Sequence, residues 1–236
     1  MNLEQRISQY RPSPETIELI KQTKIVLLVG ISGAGKDTIK KQLIEQPEYR
    51  DIVSHTTRPP RSNNDVVEVE GLDYHFIDEA AVNTMLDTNA FIEAKFVHGT
   101  VYGTSVQEVK VAHDNHQIAI TDLDVQGVDE YKHFSGDVVA IFILPPSYAV
   151  WRERLQKRYA TPEEFEQEWP KRRDSAIQEL TKALTLPYYH FIINDVLDHT
   201  VQIADEIAHQ PDVFHRKDDE ARLAARDLLD EIVRHN

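Results

Sequence analysis

The chain has 236 residues, enough to bury one sizeable core with inserted lobes and without need of a second domain. It contains no cysteine, which rules out disulfides and permits a reducing compartment, and its formal net charge of −14 argues against a general nucleic-acid binder, whose phosphate contacts need a basic face. The N-terminal stretch lacks the apolar run of a secretory signal, and no run approaches the roughly eighteen apolar residues of a membrane span, so a cytoplasmic protein with no membrane partner is expected.

In chain order, Ser13-Pro14-Glu15 supplies an N-cap, a proline at the first helical position and an acidic first turn, which predicts a short helix through about Lys21 inside a helical extension over 1–23. Ile25-Val26-Leu27-Leu28-Val29 is apolar throughout, the pattern of a strand buried on both faces of a parallel sheet. A glycine-rich turn follows, and then Ile39, Leu43 and Ile44 recur at helical spacing over 38–46. Strand, turn and helix give Gly30, Gly35 and Lys36 the context of G-x-x-x-x-G-K, the P-loop. Glycine lets backbone N–H groups curl around phosphate oxygens, the helix N-terminus adds positive dipole, and Lys36 reaches the β- and γ-phosphates of a nucleoside triphosphate. The motif departs at its end, where Asp37 replaces Ser or Thr and Thr38 follows.

A second short strand is expected from Asp51 to Ser54, running into His55-Thr56-Thr57-Arg58-Pro59-Pro60-Arg61. The prolines hold that backbone extended, so Arg58 and Arg61 stand at a fixed separation suited to bidentate phosphate recognition. Residues 62–73 are polar and acidic and read as a surface excursion. From Tyr74 to Thr104, short apolar segments alternate with a helix at Glu79–Leu86, which predicts a strand-rich lobe inserted over about 57–104. A helix from Ser105 leads to the strand Ile118–Asp122. Asp122 at a strand end offers the hard oxygen that Mg²⁺ wants, or else caps the next helix, and Asp124 beyond it faces the lobe. Val138–Leu144 and His190–Asn194 complete the apolar strands of the core. Between them, helices at 147–158 and from Thr161 onward carry Arg154, Arg158 and Arg172 and read as a lid, about 152–173, over phosphates. Past a closing helix at 201–208, Ala225, Leu228, Leu229 and Ile232 form an apolar stripe on a helical extension over 209–236, which packs on its own core or on a second copy of the chain.

The segments Ser54 with Thr56-Thr57-Arg58-Pro59-Pro60-Arg61, Gly71-Leu72-Asp73-Tyr74-His75-Phe76, Phe91-Ile92-Glu93, His98-Gly99, Tyr102-Gly103-Thr104, Asp122-Leu123-Asp124-Val125-Gln126-Gly127, Ile143-Leu144-Pro145-Pro146-Ser147 and Asn194-Asp195 occur in the order found in guanylate kinases, which the chain resembles over about 24–207. It departs from them in lacking P-G-E after Arg61, in a longer 62–73 connection, and in a lid about three residues longer. The resemblance implies an α/β P-loop NTPase domain over 24–208, three-layered, with a five-stranded parallel sheet, an inserted GMP-binding lobe and a helical lid. It implies transfer of phosphate from ATP to GMP or dGMP with Mg²⁺, giving GDP, with positioning and charge neutralisation rather than a nucleophile supplying the catalysis. Gly30, Ser32, Gly33, Ala34, Gly35, Lys36, Asp37 and Thr38 would hold ATP, with Asn194 near the adenine; Asp122 and Asp37 would serve the metal. Ser54, Arg58, Arg61, Tyr74, Glu93, Tyr102, Thr104 and Asp124 would hold GMP, while Lys36, Arg58, Arg154, Arg158 and Arg172 act on the transferring group. A kinase of ribose 1,5-bisphosphate, for which Asp37 speaks, a non-catalytic interaction module, and a small GTPase, whose N-K-x-D motif is lacking, stand as alternatives.

Overall fold

The computed structural model describes residues 1–63, 66–97, 99–213 and 215–235. Asn64 and Asp65 of the acidic excursion, and His98 of the His98-Gly99 pair, lie outside the described residues. Helices α1 (Leu3–Gln9) and α2 (Pro14–Gln22) precede β1 (Ile25–Val29), every residue of which is buried. After the glycine turn come α3 (Lys36–Leu43), β2 (Tyr49–Asp51), β3 (His55–Thr56), the hairpin strands β4 (Ser62–Asn63) and β5 (Val66–Val67), and β6 (His75–Phe76). Asp78 caps α4 (Glu79–Asp87), which leads to β7 (Phe91–Val97) and β8 (Thr100–Ser105). Ser105 caps α5 (Val106–Asp114), followed by β9 (Ile118–Asp122), α6 (Val125–Phe134) and β10 (Val139–Leu144). Ser147 caps α7 (Tyr148–Gln156) and Thr161 caps α8 (Pro162–Thr185); β11 (Tyr189–Ile193), α9 (Leu197–His209), a 3₁₀ turn and α10 (His215–Arg234) complete the chain.

The fold is α/β, with a five-stranded parallel sheet, and the chain divides into two compact units. The first comprises residues 1–25, 47–121 and 130–137. It contains the parallel pair β2–β9 and a four-stranded sheet in the order β6-β3-β8-β7. The second strand lies at Tyr49–Asp51 rather than 51–54, because after Ile52, whose N–H donates to Ile120 O at 2.9 Å, the chain leaves the pairing for the lobe. α1 was not anticipated. Its start is set by a capping box between Asn2 and Gln5, and its apolar face meets a core only in three dimensions, where Ile7 joins Val82, Leu86, Phe91 and Val101.

The second unit comprises residues 26–46, 122–129 and 138–236. In it β10 pairs in parallel with β1 on one side and β11 on the other. Arg158, expected on a helix with Arg154, lies beyond Lys157, the C-cap of α7. The C-terminal stripe meets the chain's own elements: Ala221, Ala225, Leu228 and Ile232 are buried, and α10 packs on α8 and β11. Arg222 helps fix it there, donating to Tyr189 O at 2.9 Å with its guanidinium over the Phe191 ring. Among the described residues no helix is long and apolar enough to cross a membrane.

Candidate active site

In the second unit the turn between β1 and α3 is built on glycines in the left-handed region. Gly30 has φ +140° and a Cβ there would lie 2.3 Å from Ile143 O; Gly35, the N-cap of α3, has φ +98° and a Cβ would lie 2.2 Å from Asn194 Nδ2. The turn is tied by three side chains. Asn194 Nδ2 donates to Ala34 O at 2.8 Å, Trp151 Nε1 to Ser32 O at 2.7 Å, and Arg158 Nη1 to Ser32 Oγ at 3.3 Å. Lys36 Nζ donates to Gly30 O at 2.6 Å, so its ammonium lies on the loop itself.

Beside this loop is a cavity of about 330 Å³ lined by Gly33, Gly35, Thr38, Arg154, Arg158, Asn194, Asp195 and Leu197. Arg154 donates to Asn194 O at 3.1 Å through Nη2, while its Nη1 is buried without a partner among the described residues. Glycine backbone, two guanidiniums and a helix N-terminus make a site for a polyanion. Asn194, expected at an adenine, lines the cavity but commits its amide to the loop.

The two aspartates after β9 have separate tasks. Asp122 pairs with Lys40 at 2.9 Å, whereas Asp124 caps α6, its Oδ1 accepting from the N–H groups of Gln126 at 3.0 Å and Gly127 at 2.7 Å. The capping aspartate is therefore Asp124 and not Asp122. Asp37 and Thr38 are exposed in the first turn of α3. In the lid segment Arg172 Nε donates to Tyr159 Oη at 2.9 Å.

Glu179 on α8 was not singled out from sequence. Burial pushes its carboxyl above the ordinary value, partly offset by a hydrogen bond from Ser175, and it lies within electrostatic reach of Lys36, Asp124 and Arg172. Its only sequence signal is an acid one turn beyond Ser175 on a helix that also carries Arg172, which a solvated helix face shows equally well.

The first unit holds the other predicted cluster. Arg58 is only 9% exposed; it makes a bidentate pair with Glu68, at 2.8 and 2.9 Å, and lies 5.3 Å from the Tyr74 ring centroid. Tyr74 and Tyr102 rings meet at 6.1 Å. The 62–73 connection lies at the surface as expected, with Val67, Val69 and Leu72 exposed; Ser62–Asn63 pairs with Val66–Val67, and Glu68 beyond them turns onto Arg58 and the Arg61 N–H.

Glu93 and Thr104 face each other across β7 and β8, and Thr104 Oγ1 donates to Glu93 Oε1 at 2.8 Å. Glu93 is 8% exposed and Thr104 fully buried. Desolvation pushes the Glu93 carboxyl up to about 7 despite the Thr104 hydrogen bond. Tyr131 on α6 is buried within electrostatic reach of Glu93, a neighbour that sequence reading missed. Ser54 sits between β2 and β3, half-buried.

A family model described as Guanylate kinase matches residues 22–210. The chain is 34% identical to Guanylate kinase 1 of Oryza sativa subsp. japonica over 178 residues, covering 74% of this chain and 45% of the rice protein. It is 34% identical to the guanylate kinase of Syntrophotalea carbinolica over 78% of this chain and 84% of that protein, and 37% identical to that of Geobacter metallireducens over 72% and 80%. It thus spans less than half of the rice relative and most of the bacterial ones. A crystal structure of guanylate kinase from Anaplasma phagocytophilum has the same fold, with TM-score 0.58 and 24% identity, covering 81% of this chain and 87% of that one.

Proposed function

This chain belongs to the guanylate kinase family, and we propose on that premise that it transfers the γ-phosphate of ATP to GMP, and to dGMP, giving ADP and GDP. ATP takes the cavity beside the β1–α3 loop: Gly30, Ser32, Gly33, Ala34, Gly35, Lys36, Asp37 and Thr38 cradle its phosphates, and Lys36 leaves Gly30 O for them. The unsatisfied Nη1 of Arg154, beside that cavity, supports an anion there. Arg154, Arg158 and Arg172 neutralise charge on the transferring group, and Asn194 bears on the adenine side.

Mg²⁺ is the cofactor. Asp122, Asp37 and the Thr38 hydroxyl supply only hard oxygen donors, as that ion requires, and Asp122 is already oriented by Lys40. When bound, the ion neutralises phosphate charge.

GMP takes the lobe. Arg58 and Arg61 hold its phosphate with Tyr74 and Tyr102, and Ser54, Glu93 and Thr104 hold its base. The observation that carries this reading is the buried Glu93 carboxylate oriented by Thr104. Ionised, it accepts from guanine N1–H and the 2-amino group; adenine offers a lone pair at N1 and would leave the charge unpaired. Ribose 1,5-bisphosphate offers only its ring hydroxyls and no paired N–H edge to match that carboxylate, which disfavours it.

The test is kcat/KM for GMP, AMP and ribose 1,5-bisphosphate in wild type and Glu93→Gln. Wild type should prefer GMP by roughly 10⁴, and the variant should shrink the GMP/AMP ratio by at least about tenfold. An unchanged ratio would remove Glu93 from the base site.

A further inference from the structure

Glu68 leaves the β4–β5 hairpin and spends both carboxylate oxygens on the arginine turn. Oε2 accepts from Arg58 Nη1 at 2.8 Å and from the Arg61 N–H at 2.7 Å; Oε1 accepts from Arg58 Nη2 at 2.9 Å. Its own N–H donates to Arg61 O at 2.9 Å, so main chain and side chain are both pinned. Arg58 is held from other sides as well. Nη1 gives its second proton to Pro59 O at 2.9 Å, and the guanidinium lies 5.3 Å from the Tyr74 ring centroid. What remains is the side edge. Arg58 Nε is buried and has no partner among the described residues, on a residue 9% exposed. A buried charged donor without an acceptor is costly, and native folds keep one where a ligand completes it.

We propose that Glu68 is a positioning residue for the acceptor phosphate: by occupying the end-on fork of Arg58 and the Arg61 N–H, it presents the Nε edge of Arg58 to the phosphate of the monophosphate substrate. The proposal rests on the reading of Arg58 and Arg61 as phosphate ligands. A guanidinium carries five N–H donors in a fixed fork, so three committed to Glu68 and Pro59 leave the edge of Nε–H and one Nη2–H, of which Nε has no partner among the described residues and beside which the Tyr102 hydroxyl also bears on the guanidinium. Fixing the side chain beforehand removes the rotamer entropy that a loose arginine would lose on binding. The exposed side chain of Arg61, whose backbone Glu68 also fixes, supplies the positive charge that Arg58 shares with its carboxylate partner.

The competing use of the same contacts is that the Glu68 carboxylate stands in the phosphate's place and must be expelled, and the two uses predict opposite signs. Calorimetric titration of the full chain with GMP and with guanosine, in wild type and Glu68→Gln, separates them. Glu68→Gln should weaken GMP by about tenfold and leave guanosine within about twofold, since the lost charge acts only through the phosphate ligand. Tighter GMP binding in the variant would make Glu68 a competitor. Equal losses for both ligands would make it a mere prop of the lobe, and no change in either would make it idle; each overturns the proposal. Wild type binding GMP no more tightly than guanosine would instead overturn the phosphate reading of Arg58 and Arg61, and the proposal with it. If Glu68→Gln does not fold, Glu68→Asp, which keeps the charge and withdraws it by one methylene, is read by the same two affinities.

Discussion

At the scale of single residues, the difference between a motif and a site lies in partners. Lys36 was legible from its spacing to Gly30, and the structure adds only that its ammonium donates to Gly30 O at 2.6 Å. That bond is replaceable by a phosphate oxygen, which offers a full charge where the carbonyl offers a dipole. Lys36→Ala should therefore lower kcat by about 10³, a loss of several kcal/mol of transition-state stabilisation, with its fold intact. Steady-state kinetics read it directly; activity within tenfold of wild type would remove Lys36 from the donor phosphates. Glu68 and Glu179 were not legible in this way. Each is one acid among many in an acidic chain, and only Arg58 in the one case and burial near Lys36 in the other distinguish them.

At the scale of elements, sequence reading succeeded where rules reach no further than one turn. Ser13, Ser147 and Thr161 accept from backbone N–H three residues on and start α2, α7 and α8 where helices were expected to begin. β9 runs from Ile118 to Asp122 as its apolar run predicts. The β1–α3 turn depends on something longer-ranged. Asn194 comes from the residue after β11, and its amide occupies the space a Cβ on Gly35 would need. Gly35→Ala would combine left-handed strain of about 1–3 kcal/mol with loss of the Asn194–Ala34 bond. It should raise KM for ATP by roughly tenfold or more while GMP affinity stays within about twofold, because the distortion is confined to the donor loop. Titration with each nucleotide checks this; parallel losses for ATP and GMP would show that the loop does not act on ATP alone.

At the scale of the whole molecule, buried ionisable groups set the pH response. Glu93 titrates at about 7 against an ordinary 4.5, so between those values the folded chain keeps a proton that the unfolded chain has lost, and stability falls as pH rises. His55, packed 4.6 Å from the His75 ring, is held down to about 4 against 6.5, chiefly by desolvation; there the unfolded chain binds the extra proton and stability rises with pH. The slopes oppose each other from pH 4.5 to 6.5. Glu93→Gln removes one of them. Above pH 7 the variant should be more stable than wild type, by up to about 3 kcal/mol, and its Tm should fall more steeply than that of wild type on acidification from 6.5. Thermal melts at pH 5, 6.5 and 8 test both statements. A variant that melts below wild type at pH 8 would show that the Glu93 carboxylate is not a strained group. A variant that melts above wild type there would show Glu93 serving guanine recognition at a cost in stability, the usual relation between a binding site and its fold.

The sequence by itself determined the P-loop, the buried strands, the helix starts and the arginine turn, since each follows from spacing over a few residues: two for a strand, three or four for a helix, fixed φ for proline and left-handed freedom for glycine. Composition excluded disulfides, and the order of the motifs carried the family. Only the tertiary structure decided that Asp124 rather than Asp122 caps α6, that Asn194 ties a loop 160 residues away, that Glu68 holds Arg58, and that α10 covers β11. It alone made Glu93 a carboxyl that titrates near neutrality. The reason is physical: a helix or a strand is chosen by neighbours within one turn or one pleat, whereas a hydrogen-bond partner and a desolvated charge depend on which faces pack together, and nothing local in the chain specifies that.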